Sequence, residues 1–288
     1  MTTTGINTTA STAWRTKFYS ANLQEILKVS QVSQAICEVD RTDAKYIYNP
    51  YGADPTVTIS VLSGTYAVDD FTTTNDTLEV DQEFKVAEHI YDFEDVLNNY
   101  NLFANRASRQ AYKVADAIDK WVLNQLCEDG TATYSTPAGG FTTAANWNTI
   151  VANIISTVSG YSDVRKGLFL VVENTDLTGI VVSQMTNGYS FADAALNNGL
   201  VTHQGGVDIY VVRTGTFTST TSGTKTWTNS GHRVAGVKGV ATYAAPRGVK
   251  HEEKSVSGKT GKELVTYGYC GFKLWTQMAA LIIDITIT

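Results

Sequence analysis

The residues best equipped for chemistry in this 288-residue chain are four histidines, three cysteines, one Gly-Lys-Thr turn and the adjacent carboxylates Asp69-Asp70 and Glu94-Asp95. None stands in the spacing that a reaction needs. Ser257-Gly258-Lys259-Thr260 has the composition of a phosphate-holding loop, in which backbone N–H groups lead into Lys and Thr. Glu253 stands where the first glycine of that motif belongs, so the turn reads as a solvated loop. His89, His203, His232 and His251 are scattered, and His251-Glu252-Glu253 lacks the second histidine that a helical zinc site places four residues on. Cys37, Cys127 and Cys270 are odd in number, far apart and without a CxxC pair. They read as small buried hydrophobes in a reducing compartment, forming neither a disulfide framework nor a zinc site. No Gly-x-Ser-x-Gly elbow occurs. Asp69-Asp70 falls in a strand pattern, and Glu94-Asp95 sits at a helix start, where the dipole favours negative charge. Trp121, Trp147, Trp227 and Trp275 are too dispersed for a stacking platform and read as core. The chain is therefore expected to be no enzyme, with no catalytic, cofactor or metal site.

Composition narrows the classes further. A hydrophobic content of 43% supports a real core, and a net charge of -6 lacks the basic footprint of a sequence-independent nucleic-acid binder. Met1–Trp14 has neither the basic start nor the apolar core of a signal peptide, and the longest apolar run, Met278–Ile283, is far too short to span a bilayer. A reading as a soluble protein without a membrane partner follows.

The elements that would position these residues are dominated by one stretch. From Asp92 to Gly130, Leu97, Tyr100, Ala104, Ala107, Ala111, Val114, Ile118, Val122 and Leu126 recur at steps of three and four, lining one helical face. Arg106, Arg109, Lys113, Asp116, Lys120 and Asn124 fall opposite, Asp92 is placed to cap the start, and Gly130 to close the end. About 35 residues at about 1.5 Å each make a rod of about 50 Å, a spine and not a pocket wall. Before it, residues 1–18 read as an extended arm and Leu23–Val32 as a short helix. From Ala44 to Ile90 the pattern is β, with strands at Lys45–Tyr48, Thr56–Leu62, Tyr66–Phe71 and Thr77–Ala87. Such a ribbon cannot enclose a core alone and needs something to lie against. After the spine come a helix over Trp147–Ser159, an apolar strand at Gly167–Val172, and a helix capped by Asn174 or Thr175 and running to Met185. A second buried strand at Val207–Arg213 and an exposed Thr-rich insertion at Thr214–Gly231 follow. Strands at Glu263–Tyr269 and Ala279–Ile287 end the chain, giving an α+β plate with projections.

This order resembles the tailed-bacteriophage major capsid protein of the Hong Kong 97-like fold. Gly236-Val237-Lys238-Gly239-Val240-Ala241 is similar to the small-residue strand late in that family's axial domain. Tyr267-Gly268-Tyr269, followed by Ala279–Ile283, looks like its aromatic-glycine and closing-strand pattern. The resemblance implies an N-terminal arm over 1–40, an extended β-hairpin E-loop over 41–90, and a peripheral domain with its spine helix over 91–145. It further implies an axial domain over 146–261 and C-terminal strands over 262–288 returning to the peripheral domain.

It also implies a function. Hexamers and pentamers of the chain would form an icosahedral phage head that encloses double-stranded DNA without reading its sequence, assembled in the host cytoplasm. Scaffolding protein, portal and decoration protein would be its partners, besides other copies of itself. The arm is too short to carry an internal scaffolding segment, so a separate scaffolding protein is expected. Lys45, Tyr51, Asp69, Asp70, Phe71, Arg247, Lys250 and Lys254 are the expected inter-subunit contacts. Two alternatives stand beside this reading: an encapsulin-like nanocompartment shell, and a Thr-rich fibre or adhesin-like binding protein.

Overall fold

In the computed structural model the described residues are 31–52, 73–91, 102–161, 167–186, 200–219, 221–222, 225–246, 249–255, 258 and 260–288. Residues 1–30, with the expected arm and first helix, lie outside them. So do the expected strands Thr56–Leu62 and Tyr66–Phe71, and residues 92–101 of the expected spine.

The long helix α2 occupies Leu102–Asp129, preceded by a single turn α1 at Ser33–Ile36. Val114, Ile118, Val122 and Leu126 of α2 are buried, as the sequence periodicity predicts; Ala107 and Ala111 of the same stripe are half-buried, and Trp121 and Leu123, outside it, are buried as well. The opposite face is less polar in its surroundings than expected, because Gln110 and Asn124 are also buried. The end of the helix has a different cause from the one expected as well. Gly130 is not among the glycines with positive φ. A Cβ there would stand 2.9 Å from the Ile282 side chain, so close approach and not a left-handed cap requires the glycine.

Two sheets flank this helix. In the first, β14 (Lys262–Leu274) is central. Its first part pairs antiparallel with β4 (Gln82–Ile90) on one side and β13 (Val249–Ser255) on the other. Its last part pairs with β12 (Ala241–Ala244), which lies parallel to β1 (Glu38–Asp40). Alternation on β4 turns Phe84 and Val86 toward the core. Trp121 of α2 meets Phe84 and Phe272 edge-on, with centroids 6.0 and 6.3 Å away. The second sheet has six strands, in the order β5 (Ala132–Ser135), β15 (Ile282–Thr286), β11 (His232–Val237), β6 (Leu168–Glu173), β8 (Val207–Val212) and β7 (Leu200–Gln204). Every residue of β6 is buried, as expected of a continuous apolar run covered on both faces. Helices α3 (Asn146–Tyr161) and α4 (Leu177–Thr186) accompany this sheet.

Several expectations change here. The single strand Thr77–Ala87 is two: β3 (Thr73–Glu79) pairs with β2 (Tyr46–Gly52), while β4 belongs to the body sheet. The ribbon expected to run to residue 90 therefore ends at Glu79, where the Val80 N–H donates to the Lys45 carbonyl. The expected caps Asn174 and Thr175 lie in a 3-10 turn, and Glu173 with Asp176 forms the capping box. The Thr-rich insertion carries the small hairpin of β9 (Thr221–Ser222) and β10 (Lys225–Thr226), but its base is core: Thr216, Phe217, Trp227 and Asn229 are buried. Of the terminal strands, β14 packs on α2, whereas β15 joins the six-stranded sheet after a 3-10 turn at Thr276–Leu281.

Candidate functional site

The ribbon β2–β3 is a two-stranded sheet anchored on the body along one face. Its ladder runs from Tyr46 opposite Glu79 to Gly52 opposite Thr73. Asp76, Leu78 and Glu79 tie it down. Leu78 is fully buried in a small cluster with Ala244 and Trp275, lined by Ile47, Val80 and Met278. Asp76 accepts hydrogen bonds from the Thr276 N–H at 2.9 Å and hydroxyl at 2.8 Å, and pairs with Lys273 at 3.0 Å. Partial burial pushes the Asp76 carboxyl up, but these partners outweigh it and hold the group below the usual carboxylate range. The face of the ribbon opposite Leu78 is wet. Tyr46 and Tyr48 stack on one face with centroids 6.5 Å apart, exposed at 42% and 65%. Pro50 tolerates this place because, among the described residues, β2 pairs with β3 alone and no strand on its other edge demands the missing N–H. Among the described residues nothing covers this aromatic face, which leaves it as adhesive surface.

Of the expected contact residues, Lys45 and Tyr51 are on this ribbon. Lys45 is exposed, pairs with Glu79 at 3.2 Å and lies 4.9 Å from the Tyr46 ring centroid. The Tyr46 hydroxyl and the Glu79 carboxylate hold its ammonium above the ordinary lysine range. Tyr51 is half-buried opposite Thr74. Lys250 and Lys254 are on β13, a different element, which pairs with β14 alone among the described residues. Asp69, Asp70, Phe71 and Arg247 lie outside the described residues. Along β13, Lys254 pairs with Glu252 at 3.1 Å, and Glu252 accepts from the Tyr267 hydroxyl. The Tyr267 hydroxyl and then Lys254 hold the Glu252 carboxyl below its usual range. Alternating charge of this kind protects an open sheet edge from indiscriminate pairing. The turn holding Gly258 and Thr260 joins β13 to β14, so no helix follows it and the phosphate-loop geometry is missing.

Three interior networks went unseen in the sequence, because their members are hundreds of atoms apart along the chain. Glu88 receives a two-point contact from Arg106 at 2.9 and 2.7 Å and another bond from Gln110 at 3.0 Å. Gln110 in turn accepts from Thr266, whose hydroxyl meets His251 Nδ1 at 2.7 Å. This line of bonds joins β4, α2, β14 and β13. Arg233 is buried between Asp176 at 2.6 Å and Glu173 at 3.3 Å. Glu173 Oε1 also accepts the N–H groups of Gly215, Thr216 and Phe217, at 3.0–3.1 Å. Asn124, expected on a solvated face, instead joins Thr216, Thr218 and Asn229 to α2. A charged residue inside an apolar strand, as with Arg233, was the available signal.

The cysteines are free and buried, and burial first of all raises each thiol, Cys270 to about 12. Cys127 is not the plain hydrophobe expected. Its Sγ lies 3.1 Å from Asp284 Oδ1, and Asp284 also faces His232 Nδ1 at 2.8 and 3.0 Å.

No protein-family model matches this sequence, and no curated protein matches it. The fold has many counterparts among solved structures. The capsid of cyanophage P-SCSP1u superposes with a TM-score of 0.64 at 12% identity, over 88% of this chain and 86% of that one. The capsid of a native GTA particle gives 0.64 at 12% identity over 91% of both chains. The head of Helicobacter pylori bacteriophage KHP40 gives 0.63 at 9% identity, over 90% of this chain and 91% of the other. The chain thus has the fold of a tailed-phage capsid protein, with a sequence that has drifted far from each of these.

Proposed function

We propose that this chain is the major capsid protein of a tailed bacteriophage head, built on the Hong Kong 97-like plan. Residues 1–40 serve as the N-terminal arm, the ribbon within 41–90 as the E-loop, and 91–145 with the β14 sheet as the peripheral domain. Residues 146–261 form the axial domain at the capsomer centre, apart from β12 and β13, which belong to the β14 sheet. The observation that carries the reading is the ribbon on a capsid fold: a hairpin with one buried leucine and an exposed Tyr46–Tyr48 face is marginal by itself and gains from lying on a neighbour. Copies in hexamers and pentamers then close a shell through many weak contacts whose sum is large. The net charge of -6 suits a container, because tight phosphate binding would oppose packing and release of double-stranded DNA. Lys45, Tyr51, Lys250 and Lys254, with Asp69, Asp70, Phe71 and Arg247, contribute the inter-subunit contacts. A scaffolding protein, a portal and a decoration protein complete the particle.

Negative-stain and cryo-electron microscopy of the chain, expressed alone and with its scaffolding protein, tests this. Closed shells built of hexamers and pentamers are expected. A persistent small monomer under both conditions contradicts the proposal. Shells that hold a co-purifying enzyme and no DNA-packaging portal would identify a nanocompartment instead.

A further inference from the structure

The cluster at the foot of the long helix is unused by the shell reading. Cys127 comes from the last turns of α2, His232 opens β11 and Asp284 lies in the middle of β15. These three residues, distant in sequence, place one thiol sulfur, one imidazole nitrogen and one carboxylate oxygen within 4.8 Å of one another. We infer that Cys127, His232 and Asp284 form a binding site for a divalent cation of the zinc class.

The donor set selects the ion. Calcium and magnesium take oxygen ligands, whereas thiolate with imidazole favours a borderline-soft cation, and a carboxylate commonly completes such a set. The geometry is near what that ion needs. With Zn–S at about 2.3 Å and Zn–N and Zn–O at about 2.0–2.2 Å, neighbouring ligand atoms in a tetrahedron stand about 3.4–3.6 Å apart. Here Sγ to Oδ1 is 3.1 Å and Nδ1 to the carboxylate oxygens is 2.8 and 3.0 Å. The two contacting pairs must open by about half an ångström to admit the ion, a shift within side-chain reach. Access is open on one side: the Cys127 side is buried, but the His232 and Asp284 side chains are 23% and 20% exposed. Water from that side can fill the fourth position, as in zinc sites with three protein ligands.

The charges agree. Arg233, next to His232, pairs with Glu173 and Asp176 and donates to the His232 carbonyl; its positive charge reaches Cys127, but the negative charges of Asp284 and Glu128 outweigh it there. Without an ion, the Cys127 thiol proton bridges to Asp284; on coordination that proton leaves to solvent and the S–Zn bond replaces the hydrogen bond. A bound ion would staple the helix end to the β11–β15 pair, joining the helix to the six-stranded sheet.

The test uses the full chain stripped with a chelator and titrated with cobalt(II), then zinc. Expected are about one cobalt per chain, a thiolate-to-cobalt charge-transfer band, and displacement by zinc. Zinc is also expected to raise the thermal midpoint, with the shift lost in His232→Gln and kept in the control His251→Gln. Absence of the thiolate band in the unmodified chain, or an equal band in His232→Gln, overturns the site. Should His232→Gln not fold, the cobalt spectrum of the unmodified chain decides alone.

Discussion

The strand β6 and the ribbon strand β3 are of similar length and opposite character. Each residue of Leu168–Glu173 is buried, while of Thr73–Glu79 only Leu78 is. The first is held by transfer of apolar surface on both faces, at about 25 cal/mol per Å² buried. The second is held by its ladder, one leucine and one carboxylate, and offers the rest of its surface outward. A fold can therefore carry two kinds of element: one held by burial on both faces, and one that leaves most of its surface exposed within its own chain.

Substitutions sharpen that contrast. Arg233→Ala leaves Glu173 and Asp176 buried without their cation, so urea unfolding should show a loss of about 3–5 kcal/mol. A loss under about 1 kcal/mol would mean that water reaches those carboxylates. Leu78→Ala should cost about 2–4 kcal/mol, felt as faster amide exchange and proteolysis in the ribbon. If protection falls equally in β6, ribbon and body are one cooperative unit and the contrast fails.

Asp76→Asn should loosen the ribbon by about 1 kcal/mol. It should also remove a pH dependence with a defined sign. The folded carboxyl is held below its unfolded value of about 3.9, so its contribution is complete above about pH 4 and fades as pH falls further. In the unmodified chain, ribbon protection, taken relative to the intrinsic exchange rate at each pH, should fall on acidification in that window. In Asp76→Asn it should already be lowered at neutral pH and stay flat. Tyr48→Ser should change monomer stability by less than about 0.5 kcal/mol while reducing shell yield, since its side chain is mostly exposed.

The same contrast explains what could be read from the chain alone. The long helix was legible because Val114, Ile118, Val122 and Leu126 repeat with helical period, and β6 because its apolar run is unbroken. The break between β3 and β4 was not, because alternation continues through Val80 and Asp81. What ends the ribbon is a change of partner: after the last rung, from the Val80 N–H to the Lys45 carbonyl, the chain from Gln82 pairs with β14. Asn124 fell on the polar side of the helix, and nothing marked what Arg233 pairs with, since side-chain type carries no record of distant partners such as Asn229 or Glu173. Lys45 and Tyr51 were placed on the ribbon by their position in a β pattern. Lys250 and Lys254 fell on another edge, and only the pairing of β13 with β14 separates the two groups. The Cys127–His232–Asp284 cluster was invisible for the same reason, with no spacing rule linking its members.

The central claim is that the ribbon lies on an adjoining copy. Particles assembled from a mixture of nitrogen-labelled and unlabelled chains, treated with an amine-reactive crosslinker and analysed by mass spectrometry, address it at Lys45. Crosslinks from Lys45 that join a labelled to an unlabelled peptide are the predicted result. Lys45 crosslinks confined to single chains, in particles that have closed, would contradict it.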